Sequence, residues 1–267
     1  MTRTSTRATL ARLASAAEGG VLSLETAADA LGTSRLATSR RLSALARAGW
    51  ISHIRRGLYS IRPLETAPES HIAEEDPWTI ATRVFSPCYI GGWSAAGHWG
   101  LTEQLYRATM IVSTRRMRAS SVRVGSSAYV VATDRRTKQT GLVSVWRANV
   151  RASVSGVERT LLDACAHPEW VGGGSELIAI FRSAIEKKRV SVAAMLREAE
   201  SATTGAARGR LGLLTELFWP EGEPVAAFAR EHRSAGYARL DPAVKRNGRL
   251  ITRWGVWLNI HLPDDRS

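Results

Sequence analysis

The chain has 267 residues, enough for two domains that each bury a core, and a formal net charge of +13. Its two cysteines, Cys88 and Cys165, are too few and too scattered for a disulfide framework or a structural zinc site. No apolar run approaches the roughly 20 residues of a membrane span. Residues 1–12 are polar and basic and lack the apolar core of a signal peptide, so we expect a cytoplasmic protein without a membrane partner.

The positive charge is concentrated at the N-terminal end of the chain. Residues 1–63 carry a net charge of +7, because only Glu18, Glu25 and Asp29 oppose ten basic residues, all of which are arginine. Such an asymmetry favours a polyanionic partner, and the planar guanidinium group suits phosphates and guanine edges. The ten arginines are Arg3, Arg7, Arg12, Arg35, Arg40, Arg41, Arg47, Arg55, Arg56 and Arg62.

Three short helices are predicted in this basic segment. The first runs from about Arg7 to Ala17 and ends at Gly19 and Gly20. Ser23 is expected to cap the second helix. Gly32 permits a sharp turn, after which Thr33 or Ser34 caps the third. In the third helix, the spacing of Thr38, Leu42 and Leu45 marks the buried stripe.

A two-stranded hairpin is predicted to follow the third helix. Strands around 50–54 and 58–61 flank the turn Arg55-Arg56-Gly57, which is short and basic. Together these elements predict a winged helix-turn-helix, whose third helix enters the major groove of double-stranded DNA while the wing contacts phosphate or the minor groove. The candidate DNA-binding residues are Thr33, Ser34, Arg35, Ser39, Arg40, Arg41, Arg47, Arg55 and Arg56. The alternative is a three-helix interaction module with a solvated basic face.

An acidic segment separates this unit from the rest of the chain. Residues 63–77 are rich in Pro, Glu and Ala and are interpreted as a linker or a short docking helix. We therefore predict a DNA-binding domain at 1–67 and a second domain at 68–267. The fold class expected for the whole chain is α+β, a winged helix-turn-helix followed by a larger mixed α+β domain.

The second domain is predicted to begin with strands and end with helices. Strands are expected around residues 88–90, 110–112, 122–124, 128–131, 143–146 and 150–154, and again at 254–262, where apolar side chains alternate. Helices are expected from about Ser94, after Gly156, after Gly174, after Ser191, and at 208–218 and 224–232. Ser155 and Glu158 match a capping box. Five tryptophans are expected to lie mostly in the core: Trp93, Trp99, Trp146, Trp254 and Trp257.

Several motifs of this chain, taken in order, resemble those of the AbiEi-type antitoxins of bacterial type IV toxin–antitoxin systems. The resemblance covers most of the chain, and its strongest part is Val154-Ser155-Gly156-Val157-Glu158-Arg159-Thr160-Leu161-Leu162-Asp163. The other motifs are Arg56-Gly57-Leu58-Tyr59 with Pro63, the run Tyr89 to Gln104, Pro168 with Gly172-Gly173, Arg210 to Leu214, and Trp254-Gly255 with Asn259.

The resemblance implies an autorepressor that binds inverted repeats in its own promoter. It also implies a functional partner, a nucleotidyltransferase-like toxin encoded by the neighbouring gene, which is countered without a stable complex. Since no heptad repeat or long dimerisation helix is apparent, we expect a monomer that pairs on DNA.

The sequence suggests no active site, and we expect no catalytic residue, metal or cofactor. Ser94 and His98 share a helix face, yet no nucleophile elbow or orienting carboxylate accompanies them. Arg159 and Asp163 are spaced as an i,i+4 pair, and residues 172–174 lack the Gly-Lys-Ser/Thr of a phosphate loop.

Two alternatives stay open. The first is a stand-alone winged-helix regulator whose second domain senses a ligand or a partner, since most of the chain lies outside the basic unit. The second is an enzyme, such as a nuclease fused to a DNA reader. It would need clustered Asp and Glu with Lys in the second domain, and the sequence shows no such cluster.

Overall fold

The computed structural model describes residues 3–17, 21–55, 57–61, 76–115, 117, 120–124, 127–134, 140–147, 150–201, 204–245 and 247–262, with only the backbone at 3–5, 52 and 55. Its helices are α1 (Arg3–Ala16), α2 (Leu24–Leu31), α3 (Arg35–Arg47), α4 (Pro77–Phe85), α5 (Gly92–His98), α6 (Val157–Ala166), α7 (Gly174–Glu186), α8 (Val192–Glu200), α9 (Gly205–Phe218) and α10 (Glu223–Glu231). Its strands are β1 (Val21–Ser23), β2 (Ile51–Arg55), β3 (Leu58–Ile61), β4 (Cys88–Ile90), β5 (Ala108–Ser113), β6 (Ser121–Val124), β7 (Ser127–Thr133), β8 (Leu142–Arg147), β9 (Val150–Ser155), β10 (Ala238–Arg239), β11 (Arg249–Ile251) and β12 (Val256–Leu258). The predicted α+β class is confirmed.

The turn between α2 and α3 is built by local caps. The Ser23 hydroxyl accepts the Thr26 N–H at 3.0 Å, and the Ser34 hydroxyl accepts the Ala37 N–H at 3.3 Å. Between these caps Gly32 adopts φ +63°, a left-handed conformation that glycine takes without a Cβ penalty. Both helices therefore begin where the capping residues predict, and of the two proposed caps for α3 it is Ser34 that serves.

Strand β1 was not predicted, and it makes the hairpin a three-stranded sheet in the order β1-β3-β2. One face of this sheet, with Leu22, Tyr59 and Ile61, packs on the core formed with α1, α2 and α3. The opposite face carries Ile54, which is buried in a cluster with residues from the part of the chain that begins at residue 76, which we call the second domain, and Leu58, which packs against that cluster. The N-terminal sheet therefore lies between its own helices and the second domain.

The second domain contains, within the described residues, a mixed sheet of six strands in the order β6-β7-β5-β4-β9-β8. One face carries Ile90, Ile111 and Val154, which share a cluster with Trp78 of α4 and with Ile54. The other face carries Tyr89, Met110 and Val112, which pack with Trp170. Buried residues alternate along these strands because successive side chains point to opposite faces.

The remaining helices form a second layer around their own core. Leu161, Phe181, Leu214 and Trp254 are buried in one cluster that joins α6, α7, α9 and the turn before β12. A small sheet in the order β10-β12-β11 packs against this core through Val256, Ile251 and Leu258. Within the described residues, no helix combines the length and apolar character that crossing a membrane requires.

The predicted capping box at Ser155 and Glu158 is wrong. Helix α6 begins after Gly156, which offers no side-chain cap. Ser155 ends strand β9 and is buried, and its hydroxyl lies 2.7 Å from that of Thr160. Glu158 instead accepts the Ser191 N–H at 3.1 Å, because α8 packs beside α6. Packing between α6 and α8 therefore determines the hydrogen-bond partner of Glu158, which its spacing from Ser155 in the sequence did not predict.

Three further expectations differ from the structure. The strand predicted at 254–262 is limited to β12, because Gly255 turns the chain with φ +64° and the Asn259 amide binds the backbone of Asp241. Helix α4, capped by Asp76, follows the acidic segment and was not predicted. Trp146 is not in the core: 66% of its surface is exposed on β8. The boundary proposed between residues 67 and 68 lies outside the described residues.

Candidate nucleic-acid interface

The outer face of α3 is polar and basic with one apolar side chain. Thr38, Leu42 and Leu45 are buried, as predicted. Helical spacing therefore directs Arg40 and Arg47 away from the core, and both are exposed, while Ser39 is half-buried. On the same exposed surface lie Ser43 and Leu36, whose side chain is 64% exposed. This face offers guanidinium donors, hydroxyls and one apolar contact, the groups that read base edges in a major groove.

Arg35 is positioned by an ion pair with the preceding helix. Its Nη1 lies 3.0 Å from Glu25 Oε1, and both side chains are about two-thirds exposed. An exposed pair of this kind contributes little stability, so a phosphate can replace the carboxylate at low cost. Arg35 is therefore available to an anionic partner although it has an acidic neighbour.

Thr33 and Ser34 are engaged in the turn itself. The Thr33 hydroxyl lies 2.8 Å from that of Thr38, and Ser34 caps α3. Their side chains thus shape the turn and the start of the helix. This geometry is compatible with a contact between these two residues and the DNA backbone, near the N-terminus of α3.

Arg41 differs from its neighbour Arg40 in its surroundings. It is half-buried, and its Nη2 donates to the Thr9 hydroxyl of α1 at 3.0 Å. Its Nε is buried and has no hydrogen-bond partner in the described part of the chain. Arg41 therefore ties α3 to α1, a positioning role that the sequence pattern did not distinguish from a DNA contact.

The hairpin beside α2 and α3 is described only in part. Gly57 turns with φ +75°, and its carbonyl accepts the Leu24 N–H at 2.8 Å, which fixes the turn against α2. The pairing of β2 with β3 shifts register between His53 and Arg55. The Arg55 side chain and the whole of Arg56, both predicted to contact DNA, lie outside the described residues.

Two further arginines of this unit are exposed on α1. Arg7 and Arg12 lie on the outer side of the helix, whereas Leu10 and Leu13 are buried. They contribute to the net charge of +7 in residues 1–63 but are not among the candidate DNA-binding residues. The spacing of Arg7 and Arg12 from the apolar Leu10 and Leu13 is the sequence signal that predicts their position on the outer side of the helix.

The second domain contains a buried cluster centred on Arg159. Its Nε donates to Asp163 Oδ1 at 2.9 Å, and its Nη2 donates to Asp134 Oδ2 at 3.0 Å. Its Nη1 donates to the carbonyl of Thr140 at 3.0 Å. The Tyr89 hydroxyl donates to Asp163 Oδ2 at 2.9 Å. The predicted i,i+4 pair is present, but both of its side chains are fully buried.

Glu198 of α8 is a further member of the Arg159 cluster. Its Oε2 accepts the Thr140 hydroxyl at 3.3 Å and lies 4.0 Å from Arg159 Nη1. Burial, followed by the nearby Asp163 carboxylate, raises the pKa of Tyr89 well above its usual value, so the phenol stays a neutral donor. Because the Arg159 side chain is fully buried, we interpret this cluster as a structural feature of the domain interior and not as a substrate site.

Ser94 and His98 lie in separate surroundings. The Ser94 hydroxyl accepts the Met110 N–H at 2.8 Å, so it ties α5 to β5. His98 packs edge-on against Trp78 and Trp99, with ring centroids 5.2 Å and 4.6 Å away. Burial, and secondarily the charge of Arg147, lowers the pKa of His98. Among the described residues, no His, Cys, Asp or Glu group has the arrangement of a metal site.

The motifs that carry the family resemblance are largely packing residues. A Cβ on Gly92 would overlap the carbonyl of Trp170, and one on Gly212 would overlap the Trp254 ring. Arg210, almost fully buried, donates to the carbonyls of Cys165 and Arg239. At these positions the motif residues therefore hold the second domain together.

Comparisons with known proteins indicate a fold and no family. No family model matches the chain, and no curated protein matches it. Among solved structures, the chain is similar to the crystal structure of the RV2827C protein from Mycobacterium tuberculosis, with 16% identity and a TM-score of 0.52. The match covers 96% of this chain and 92% of that chain. At this identity the likeness is one of fold, and it extends over both parts of the chain.

Proposed function

We propose that the chain is a DNA-binding autorepressor that acts as the antitoxin of a type IV toxin–antitoxin pair in the cytoplasm. The observation that carries the DNA-binding part is the exposed outer face of α3, where Arg40 and Arg47 project from a helix-turn-helix next to a β-hairpin. The net charge of +7 in residues 1–63 supplies the attraction for phosphates. Arg35, Ser39 and Arg40 read base edges, and Arg55 and Arg56 of the wing contact the backbone.

The antitoxin part rests on the ordered motifs that resemble AbiEi-type proteins. In this proposal the chain binds inverted repeats in its own promoter, one copy per half-site, and is monomeric before it binds. It counters a nucleotidyltransferase-like toxin without a stable complex, and it needs neither a cofactor nor a catalytic group of its own.

The DNA-binding part is tested by fluorescence anisotropy with the chain's own promoter and a scrambled duplex, over a range of salt concentrations. We expect tighter binding to the promoter and an affinity that falls steeply with salt. Arg40→Ala should reduce the discrimination by about 1–3 kcal/mol. Arg56→Ala should weaken both duplexes alike and lower the salt slope by about one.

The matched control for Arg40→Ala is Arg197→Ala, which removes an exposed arginine from helix α8 of the second domain. Its affinity for both duplexes should stay close to that of the wild type. Equal affinity of the wild-type chain for promoter and scrambled DNA would refute sequence-specific repression.

The antitoxin part is tested by expressing the product of the neighbouring gene with and without this chain. Growth arrest by that product, relieved by this chain in the absence of a co-purified complex, is the expected result. If the neighbouring gene encodes no nucleotidyltransferase-like protein, or if growth arrest persists, the antitoxin part is wrong.

A second candidate function is a stand-alone regulator whose second domain senses a ligand or a partner. The observation that favours it is the shared cluster of Ile54 with Trp78 and Ile90, which connects the N-terminal sheet to the second domain. In this case the chain would still bind its promoter more tightly than scrambled DNA, and the toxin experiment would not give the expected relief of growth arrest.

A further inference from the structure

The outer face of the small sheet carries two aromatic rings and a guanidinium group. Parallel pairing of β10 with β12 places Arg239 beside Trp257, and Tyr237 lies two residues before Arg239 on the same side of the chain. The intervening Ala238 pairs with Val256, which is buried in the helical layer. The face opposite the core is therefore the one that bears Tyr237, Arg239 and Trp257.

The backbone that presents these side chains is held in place by several bonds. Arg210 donates from Nε and Nη2 to the Arg239 carbonyl, at 2.9 Å and 2.7 Å. The N–H groups of Ala238 and Leu240 donate to the carbonyls of Gly255 and Trp257, each at 2.8 Å. Because Arg210 is almost fully buried, this part of β10 is anchored to the core.

The guanidinium of Arg239 is oriented without being neutralised. Its Nη1 donates to the Val244 carbonyl at 2.8 Å, and among the described residues no carboxylate pairs with it. The nearest acidic residue in sequence, Asp241, accepts the N–H groups of Gly174 and Ala243 instead. Arg239 thus retains N–H donors for an anion, in a fixed position.

The three side chains line an open recess with a volume of about 570 Å³, together with Ala238. This volume lies within the range of sites for small organic ligands. Tyr237 is 59% exposed, so its ring is accessible from solvent. Aromatic rings bind planar groups by stacking, and a guanidinium binds phosphate by charge-assisted hydrogen bonds.

We propose that this recess binds a planar aromatic anion of the size of a nucleoside monophosphate. The base stacks on the exposed ring of Tyr237, and the phosphate accepts hydrogen bonds from Arg239. The site is separate from the outer face of α3, and it would give the second domain a ligand of its own.

The proposal is tested on the full chain by isothermal titration calorimetry with AMP, GMP, CMP and UMP. Adenosine and ribose 5-phosphate serve as probes that lack the phosphate and the base, respectively. We expect at least one nucleotide to bind with a dissociation constant below about 1 mM. Both Arg239→Gln and Tyr237→Ala should weaken it by at least about tenfold, because each removes one half of the recognition.

Arg249→Gln is the matched control, since Arg249 lies on the same small sheet but pairs with Leu258, on the opposite face from Trp257. It should bind within about twofold of the wild type. Thermal unfolding of each variant checks the fold, and Tyr237→Ala is the variant least exposed to that risk because its side chain is largely in solvent.

The proposal is overturned if no nucleotide binds, if ribose 5-phosphate binds as tightly as the nucleotides, or if Arg249→Gln loses as much affinity as Arg239→Gln. Promoter affinity is measured in parallel. If Arg239→Gln weakens promoter binding as Arg40→Ala does, the recess belongs to the polynucleotide surface and the proposal is wrong. Failure of the wild-type chain to bind its promoter bears on the proposed function alone.

Discussion

The role of each arginine in this chain depends on how far its side chain is buried. Arg40 is exposed on α3, Arg41 is half-buried and bonded to Thr9, and Arg159 is fully buried among carboxylates. The sequence indicates charge at each position but not the surroundings that decide its energetic role. A buried guanidinium loses its hydration and must recover that free energy from its partners, whereas an exposed one keeps its water.

The Arg159 cluster yields a prediction with an internal comparison. Asp163→Asn removes the charge opposite Arg159, and we expect the free energy of unfolding to fall by about 3 kcal/mol, limited by the remaining Asp134 carboxylate. Glu186→Gln does the same to the pair of Arg182 and Glu186, which has the same i,i+4 spacing but is exposed. There the expected loss is at most about 0.5 kcal/mol. Urea denaturation measures both, and equal effects would contradict an energetic role of burial.

At the scale of elements, glycines set how closely helices approach their neighbours. Helix α9 packs against the turn at Trp254 through Gly209 and Gly212, both of which lack room for a Cβ. The α9 helix therefore lies directly on the Trp254 ring, whose indole N–H donates to Glu216 at 3.0 Å. This contact brings together the segments around Arg210 and Trp254, which are far apart in sequence.

The space around each glycine predicts opposite effects of alanine substitution on stability at two helical positions. Gly212→Ala should lower the free energy of unfolding by about 1–3 kcal/mol, because the new methyl group overlaps a buried ring. Gly97→Ala in α5 meets nothing within 4 Å. It should be neutral or stabilising by up to about 1 kcal/mol, since alanine restricts the unfolded chain. Chemical denaturation of the two variants checks this, and an equal loss in both would show that contact with Trp254 is not the cause.

At the scale of the whole molecule, the N-terminal sheet connects the two parts of the chain. Its inner face belongs to the core of α1, α2 and α3, while Ile54 and Leu58 pack with the second domain. Ile54 is fully buried there. A fragment that ends near residue 67 would expose this surface, so separated halves are expected to be less stable than the intact chain.

Ile54→Ala should therefore lower the stability of the whole chain by about 2–5 kcal/mol. The wild type should unfold in one transition, with coincident curves from far-ultraviolet circular dichroism and tryptophan fluorescence. Leu36→Ala, which truncates an exposed side chain of α3, is the control and should change stability by less than about 0.5 kcal/mol. Two separate transitions in the wild type, or an unchanged midpoint in Ile54→Ala, would contradict the coupling.

The sequence alone determined the features that arise from neighbours along the chain. It predicted the cap at Ser23, a cap at Thr33 or Ser34, the buried stripe of α3 and all six strands of the larger sheet, because caps and side-chain periodicity act within a few residues. The tertiary structure decided which groups meet across long separations. It directed Glu158 to Ser191, joined Tyr89 to Asp163, turned Arg41 toward Thr9 and set Ile54 against the second domain. Such pairings depend on how helices and sheets pack, and packing involves residues whose distance in sequence carries no local signal.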